Sequence, residues 1–147
     1  MTHPQQHHSI QFPDPNGQRV HVPLFGDKVQ AGFPSPADDY VEDRLSLDEV
    51  LIPHKEFTFF VRAKGNSMVG AGIFDGDLLV VDKSITPALG DIVIAVIDGE
   101  LTVKRLAKRG ETIILKPDNP LFKEIEIKEG QELQVWGVVT SSVKKFV

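Results

Sequence analysis

Hydrophobic residues arrive in short bursts along the last two-thirds of the chain. Phe57–Ala63, Leu78–Asp82, Ile92–Ile97, Glu100–Leu106, Thr112–Lys116 and Leu133–Val139 are each rich in Val, Ile, Leu or Phe. Gly65, Asp75-Gly76, Gly90, Asp98-Gly99, Arg109-Gly110 and Gly130 fall among and between them. Apolar bursts of strand length divided by turn-forming residues predict many short strands, and hence a mainly β fold, a compact antiparallel domain. One helix is readable over Ser46 to Ile52. Ser46 and Glu49 have capping-box spacing, Leu47, Val50 and Leu51 supply an apolar face, and Pro53 stops the element.

The beginning of the chain is patterned differently. Pro4, Pro13, Pro15, Pro23, Pro34 and Pro36 crowd it, with Gly17, Gly26 and Gly32 between them. Proline lacks an amide donor and fixes φ, so neither a long helix nor a central strand is expected there. Residues 1–40 therefore read as an extended, mobile arm, and residues 41–147 as the β-rich domain. Within the arm, Gln30-Ala31-Gly32-Phe33-Pro34-Ser35-Pro36 joins small residues to a restricted, extended backbone.

The sharpest local expectation is a hairpin over Ile92–Leu106, turning at Asp98-Gly99. Asp-Gly accepts the positive φ angles of a two-residue type I′ turn. That turn places Ile97 opposite Glu100, Ala95 opposite Thr102 and Val93 opposite Lys104. Alternation then puts Lys104 on one face with Val93, Ala95, Ile97, Thr102 and Leu106, and Ile92, Ile94, Val96, Leu101 and Val103 on the other. Both faces are apolar, and Lys104 is the misfit.

Composition narrows the classes. The 147 residues suit one domain with a real core, and 41% hydrophobic with 25% charged residues is a globular balance. A formal charge of −5, with scattered Lys and Arg, argues against direct DNA binding, which collects cations to neutralise phosphates. With no cysteine, disulfides, thiolate metal sites and cysteine nucleophiles are excluded. Met1–Ile10 is polar and rich in His and Gln, unlike a signal peptide, and no apolar run approaches membrane-spanning length. The expectation is a soluble cytoplasmic protein without a membrane association.

Two residue types carry candidate chemistry. A lysine enclosed by apolar groups loses the solvation of its ammonium form, and its pKa falls by up to ~3–5 units. The neutral amine is then a general base. Equally, Lys104 taken alone is a lysine whose stem covers a sheet and whose head reaches water. Ser67, in Lys64-Gly65-Asn66-Ser67-Met68, follows directly on an apolar strand, where its hydroxyl can be exposed and its own N–H turned toward an oxyanion. The spacing is not that of a G-x-S-x-G elbow, and Gly-Asn-Ser is also an ordinary turn. A histidine base is poorly supported: His3, His7, His8 and His21 lie in the arm, and His54 adjoins Pro53 in a loop. Asp75 and Asp77 flank Gly76 as turn residues. No phosphate-binding loop, dinucleotide fingerprint or cation loop is present, and neither cofactor nor metal is expected.

The segments Pro23-Leu24-Phe25, Val29-Gln30-Ala31-Gly32-Phe33-Pro34-Ser35-Pro36-Ala37-Asp38-Asp39-Tyr40, Gly65-Asn66-Ser67-Met68, Ile73-Phe74-Asp75-Gly76-Asp77-Leu78 and Asp98-Gly99-Glu100-Leu101-Thr102-Val103-Lys104-Arg105-Leu106 together resemble the UmuD/LexA-type self-cleaving serine/lysine peptidases. The match runs from about Pro23 to Val143 with order and spacing kept. The resemblance implies Ser67 as nucleophile, Lys104 as general base, Asn66 and Ser67 N–H groups as oxyanion donors, and the Ala31–Gly32 bond as substrate.

It also implies a homodimer whose self-cleavage is stimulated by the RecA filament on single-stranded DNA in the SOS response. The product, residues 32–147, would join a UmuC-type translesion polymerase. The repressors of the family carry an N-terminal helix-turn-helix. The proline-broken residues before Ala31 do not accommodate one, so the UmuD branch fits better. Asn66 stands where many relatives have Asp, and Ala31 is the repressor-like residue at the bond. Met1–Gln11 has no placed counterpart. Two rival readings remain: a non-catalytic polymerase-binding module with relic peptidase residues, and a signal-peptidase relative, which would require a membrane anchor.

Overall fold

A computed structural model describes residues 18–25 and 41–147. These belong to two compact units, Asp14–Pro53 and His54–Val147. The Ala31–Gly32 bond lies outside the described residues.

In the smaller unit, β1 (Val22–Phe25) pairs antiparallel with β2 (Val41–Leu45), with Val22 opposite Leu45 and Pro23 opposite Arg44. A strand among the arm's prolines was not expected. A two-stranded ribbon leaves each strand one unpaired edge, and a proline is tolerated on such an edge. Helix α1 (Leu47–Leu51) follows, shorter than the expected Ser46–Ile52. Ser46 stands at its N-cap, yet its side chain caps nothing; its carbonyl instead accepts the Glu49 and Val50 N–H groups, each at 3.1 Å. The capping box fails because Glu49 is drawn elsewhere: its carboxylate accepts a hydrogen bond from Arg19 at 2.8 Å and lies 3.4 Å from His21. That Arg19 bond holds the Glu49 carboxyl below its usual range. Leu47 and Val50 are exposed, so the expected apolar face is not a buried one.

The larger unit holds one antiparallel sheet of seven strands. These are β3 (Thr58–Arg62), β4 (Leu78–Asp82), β5 (Ile92–Ile97), β6 (Glu100–Arg109), β7 (Thr112–Lys116), β8 (Ile125–Glu126) and β9 (Leu133–Val143). Their spatial order is β3-β4-β9-β5-β6-β7-β8. Every apolar burst became a strand. The differences lie at the ends: Phe57 closes a 3-10 turn, Lys55–Phe57, ahead of β3, and β6 and β9 extend beyond their apolar stretches. The two-residue β8 is too short to leave a pattern.

The β5–β6 hairpin has the expected register, with Ile97 opposite Glu100, Ala95 opposite Thr102 and Val93 opposite Lys104. Asp98 and Gly99 have φ of 49° and 84°, the positive values that the turn requires. Its doubly apolar character has a direct cause. Ile94 joins a core of Phe59, Met68, Leu79 and Val81, against which Val103 and Trp136 pack. Val93, Ala95 and Leu106 join a second core with Leu115 and Val138. Strand alternation therefore feeds two separate clusters from one hairpin.

Strand β9 threads between β4 and β5, and two extra residues bend it. Trp136 is unmatched where Ile94 faces Gly137 and Ala95 faces Val135; Thr140 is unmatched between the Val80–Ser141 and Val81–Val139 pairs. At Gly137 a Cβ would stand 2.8 Å from Val81 Cγ1 and 3.0 Å from Asp82 O. Val81 is fully buried, so neither atom has room to yield. Gly137→Ala should therefore destabilise the fold by about 1–3 kcal/mol, lowering Tm by roughly 5–10 °C. Thermal unfolding followed by circular dichroism, in a Ser67→Ala background, checks this; an unchanged Tm would mean that the sheet can open to admit a methyl group.

Candidate active site

The turn bearing Ser67 is tied down on several sides. At the end of β3, Ala63 N–H donates to Asp77 O and Gly76 N–H to Ala63 O, both at 2.8 Å. Gly65 takes φ of 83°, a left-handed conformation that most side chains resist, and donates its N–H to Asp75 Oδ1 at 2.7 Å. Immediately after Ser67, Met68 is 3% exposed and anchors the turn in the first core. Ser67 is thus held between a left-handed glycine and a buried methionine.

Lys104 reaches this serine from β6. Its Nζ lies 3.0 Å from Ser67 Oγ, 2.9 Å from Thr102 Oγ1 and 3.0 Å from Val103 O. Lys104 is only 9% exposed, and burial lowers its pKa from the usual lysine value. No carboxylate among the described residues pairs with it to oppose that shift. Three oxygens surround Nζ, enough for the three donors of an ammonium or for the two donors and lone pair of the neutral amine, the form that burial favours. In the neutral form, with Thr102 Oγ1 and Val103 O taking the two N–H groups, the lone pair would face the Ser67 hydroxyl.

The pair opens onto a depression of about 660 Å³, lined among others by Phe60, Met68, Leu101 and Trp136. It is half-walled by apolar side chains and bordered by β3, the end strand of the sheet. Among the described residues, no acceptor takes the N–H of Asn66 or Ser67. A peptide backbone laid beside Ser67 would find both donors free.

Residues 116–121 brace the opposite side of the turn. Gly70 N–H donates to Asp118 O at 2.7 Å, an approach open only to glycine, since a Cβ there would collide with that carbonyl. Asp118 N–H points to Met68 Sδ at 3.4 Å, and Asn119 Nδ2 donates to Asn66 O at 2.8 Å. Arg105, next to Lys104 on β6, clasps the Asp118 carboxylate through Nε and a second guanidinium nitrogen, which holds that carboxyl below its ordinary pKa. One loop thus links the lysine strand to the serine turn.

Other polar groups serve the scaffold. His54 Nδ1 lies 2.7 Å from Asp82 Oδ2 and 3.2 Å from Ser84 Oγ, while Ser84 Oγ donates to Asp82 Oδ1 at 2.6 Å. Both partners meet the same ring nitrogen, whereas a proton relay requires acid and nucleophile on opposite nitrogens. Asp75 and Asp77 are turn residues in fact. Asp77 accepts the Phe74 N–H at 2.8 Å and lies 2.6 Å from Lys144 Nζ, which also sits 4.4 Å over the Phe74 ring. Among the described residues no cluster of His, Asp or Glu is placed to hold a metal, and no helix is long and apolar enough to cross a membrane.

The structure brings Ser67 and Lys104 together and, among the described residues, leaves the Asn66 and Ser67 N–H groups without an acceptor; Ala31 and Gly32 lie outside what it describes. Thr102, Arg105, Asp118 and Asn119 were not singled out from the sequence. Thr102 was within reach, lying two residues from Lys104 on the same strand face. The loop residues carried only a turn signal, Lys116-Pro117-Asp118-Asn119-Pro120.

Comparison with known proteins places these observations. The family model described as Peptidase S24-like matches residues 23–140. Protein ImpA of Salmonella typhimurium is 48% identical over 135 residues, covering 90% of each chain. Protein MucA of Escherichia coli is 41% identical over 134 residues, covering 90% of this chain and 91% of its own. LexA repressor 2 of Geobacter sulfurreducens is 39% identical over 128 residues, 86% of this chain but 62% of the longer repressor. With its antiparallel β architecture and a match over most of its length, the chain belongs to the peptidase S24-like family of serine peptidases, in the UmuD branch.

Proposed function

We propose that this protein cuts its own Ala31–Gly32 bond with a Ser67–Lys104 pair, under control of the RecA filament in the SOS response. The observation that carries this reading is the 3.0 Å approach of a buried, cation-disfavouring Lys104 Nζ to Ser67 Oγ. The neutral amine takes the hydroxyl proton as Oγ attacks the Ala31 carbonyl carbon. The tetrahedral oxyanion forms beside the N–H groups of Asn66 and Ser67. As it collapses, the ammonium returns the proton to the departing Gly32 nitrogen, leaving an acyl ester on Ser67. Water, deprotonated by the same amine, then releases the Ala31 carboxylate and restores the serine.

The arm of residues 1–40 carries the substrate bond to the peptidase domain of residues 41–147. Tethering replaces a bimolecular encounter by an intramolecular one, so a modest catalyst suffices. The outer edge of β3, unpaired among the described residues, supports an extended substrate segment laid beside the apolar depression. Small residues at the scissile bond let its backbone approach Ser67. The resulting 32–147 fragment, as a homodimer, serves a UmuC-type translesion polymerase.

Intact-mass measurement after incubation at about pH 10 tests the reading without any activator. A single cut between Ala31 and Gly32 is expected. An uncut chain would leave the non-catalytic, polymerase-binding role in front, and a cut elsewhere would reassign the substrate bond.

A further inference from the structure

We infer that Asn119 is a positioning residue that sets the oxyanion donor of the active site by fixing the Asn66–Ser67 peptide plane. The inference rests on the reading of Ser67 as the nucleophile. Asn119 Nδ2 donates to Asn66 O at 2.8 Å. In a trans peptide the C=O and the following N–H point in opposite directions. Holding the Asn66 carbonyl on one side therefore aims the Ser67 N–H at the other. The two sides are distinct here: Asn119 borders a depression with Gly70, Asp118 and Pro120, whereas Ser67 and Lys104 border the apolar one.

The clamp is itself oriented. Asn119 Oδ1 accepts the Leu121 N–H at 3.0 Å, so the amide presents its NH2 end, not its oxygen, to Asn66. The loop beneath cannot drift from the serine turn, because Gly70 N–H holds Asp118 O and Arg105 holds the Asp118 side chain. Without this donor the peptide could rotate and the Ser67 N–H would swing off the developing charge. Val69 N–H, at 3.4 Å from the same carbonyl, is too long to hold it alone.

Asn119→Asp separates clamp from loop. The carboxylate keeps the acceptor for Leu121 N–H but offers no donor to Asn66 O. Full-length Asn119→Asp, Asn119→Ala, Ser67→Ala and the unaltered chain are compared for first-order self-cleavage between about pH 8 and 11, and for Tm. Both Asn119 variants are expected to lower the rate plateau roughly tenfold to a hundredfold, below the ~10²–10³ of deleting an oxyanion donor outright. In the uncharged Asn119→Ala the pH midpoint of the rate and the Tm should stay in place, since neither the lysine nor the fold is altered. Asn119→Asp cleaving at the full rate would overturn the clamp. A shifted midpoint in Asn119→Ala would do so too, by moving the effect to Lys104, and a matching fall in Tm would assign Asn119 a structural role instead. Cleavage persisting in Ser67→Ala would overturn the nucleophile reading and this inference with it, whereas a dead Ser67→Ala beside an unaffected Asn119→Asp would remove the clamp alone.

Discussion

Ser67→Ala should abolish self-cleavage, lowering the first-order rate by at least about three orders of magnitude while leaving the fold intact. Removal of the nucleophile from a serine peptidase eliminates the acyl pathway, and what remains is the slow attack of water assisted by oxyanion donors and positioning. The substitution is a gentle one structurally. Ser67 is half-buried at the mouth of the depression, and its hydroxyl contacts Lys104 Nζ. The glycine and methionine that shape its turn are untouched. Gel or intact-mass time courses at about pH 10 give the rate, and circular dichroism gives the fold. A variant that remains folded and still cuts itself would show that Ser67 is not the attacking group.

The second large effect is on pH. In the proposed mechanism only the neutral amine of Lys104 accepts the serine proton, so the rate should rise about tenfold for each pH unit below the lysine pKa and level off above it. Burial brings that midpoint below the ~10.4 of a free lysine. The rate should therefore climb and then level off, with the plateau reached at a lower pH than a free lysine would give. Lys104→Arg, whose guanidinium does not deprotonate, should be inactive across the range. The same shift has a stability consequence. Lys104 has a depressed pKa in the folded state, so the unfolded chain binds more protons between the folded and unfolded pKa values. Folding stability should rise with pH across that interval. A Lys104→Arg variant that cleaves with an unchanged pH–rate profile would remove Lys104 as the base.

The Arg105–Asp118 contact illustrates why such a site is robust yet hard to foresee. Arg105 is anchored two ways, to Asp118 and to the Gly90 carbonyl at 2.6 Å, so the strand that carries Lys104 is fixed at both edges. Lys104 itself is then set by Thr102 and Val103 from its own strand. Short local contacts orient the Lys104 amine, and the loop of residues 116–121 joins its strand to the serine turn.

The β5–β6 hairpin was legible to the residue, because an Asp-Gly turn fixes register and alternation fixes faces. The remaining apolar bursts were legible as strands for the same local reason. Helix α1 was legible in place but not in its cap, since Arg19, remote in sequence, takes the Glu49 carboxylate. The Ser67 and Lys104 roles came from motif resemblance; each residue alone was equally an ordinary turn serine or a surface lysine. Their union is a tertiary fact. They lie 37 positions apart, and Asn119 lies 53 from Asn66, separations that no periodicity encodes. What the sequence by itself determined is the set of short strands, the turns between them and the hairpin that bears the lysine, because backbone sterics and side-chain alternation act over neighbours. What only the tertiary structure decided is the burial of that lysine, its 3.0 Å approach to Ser67 Oγ and the hydrogen bond from Asn119 to the Asn66 carbonyl. Desolvation and hydrogen-bond geometry depend on which distant strands and turns close around a group.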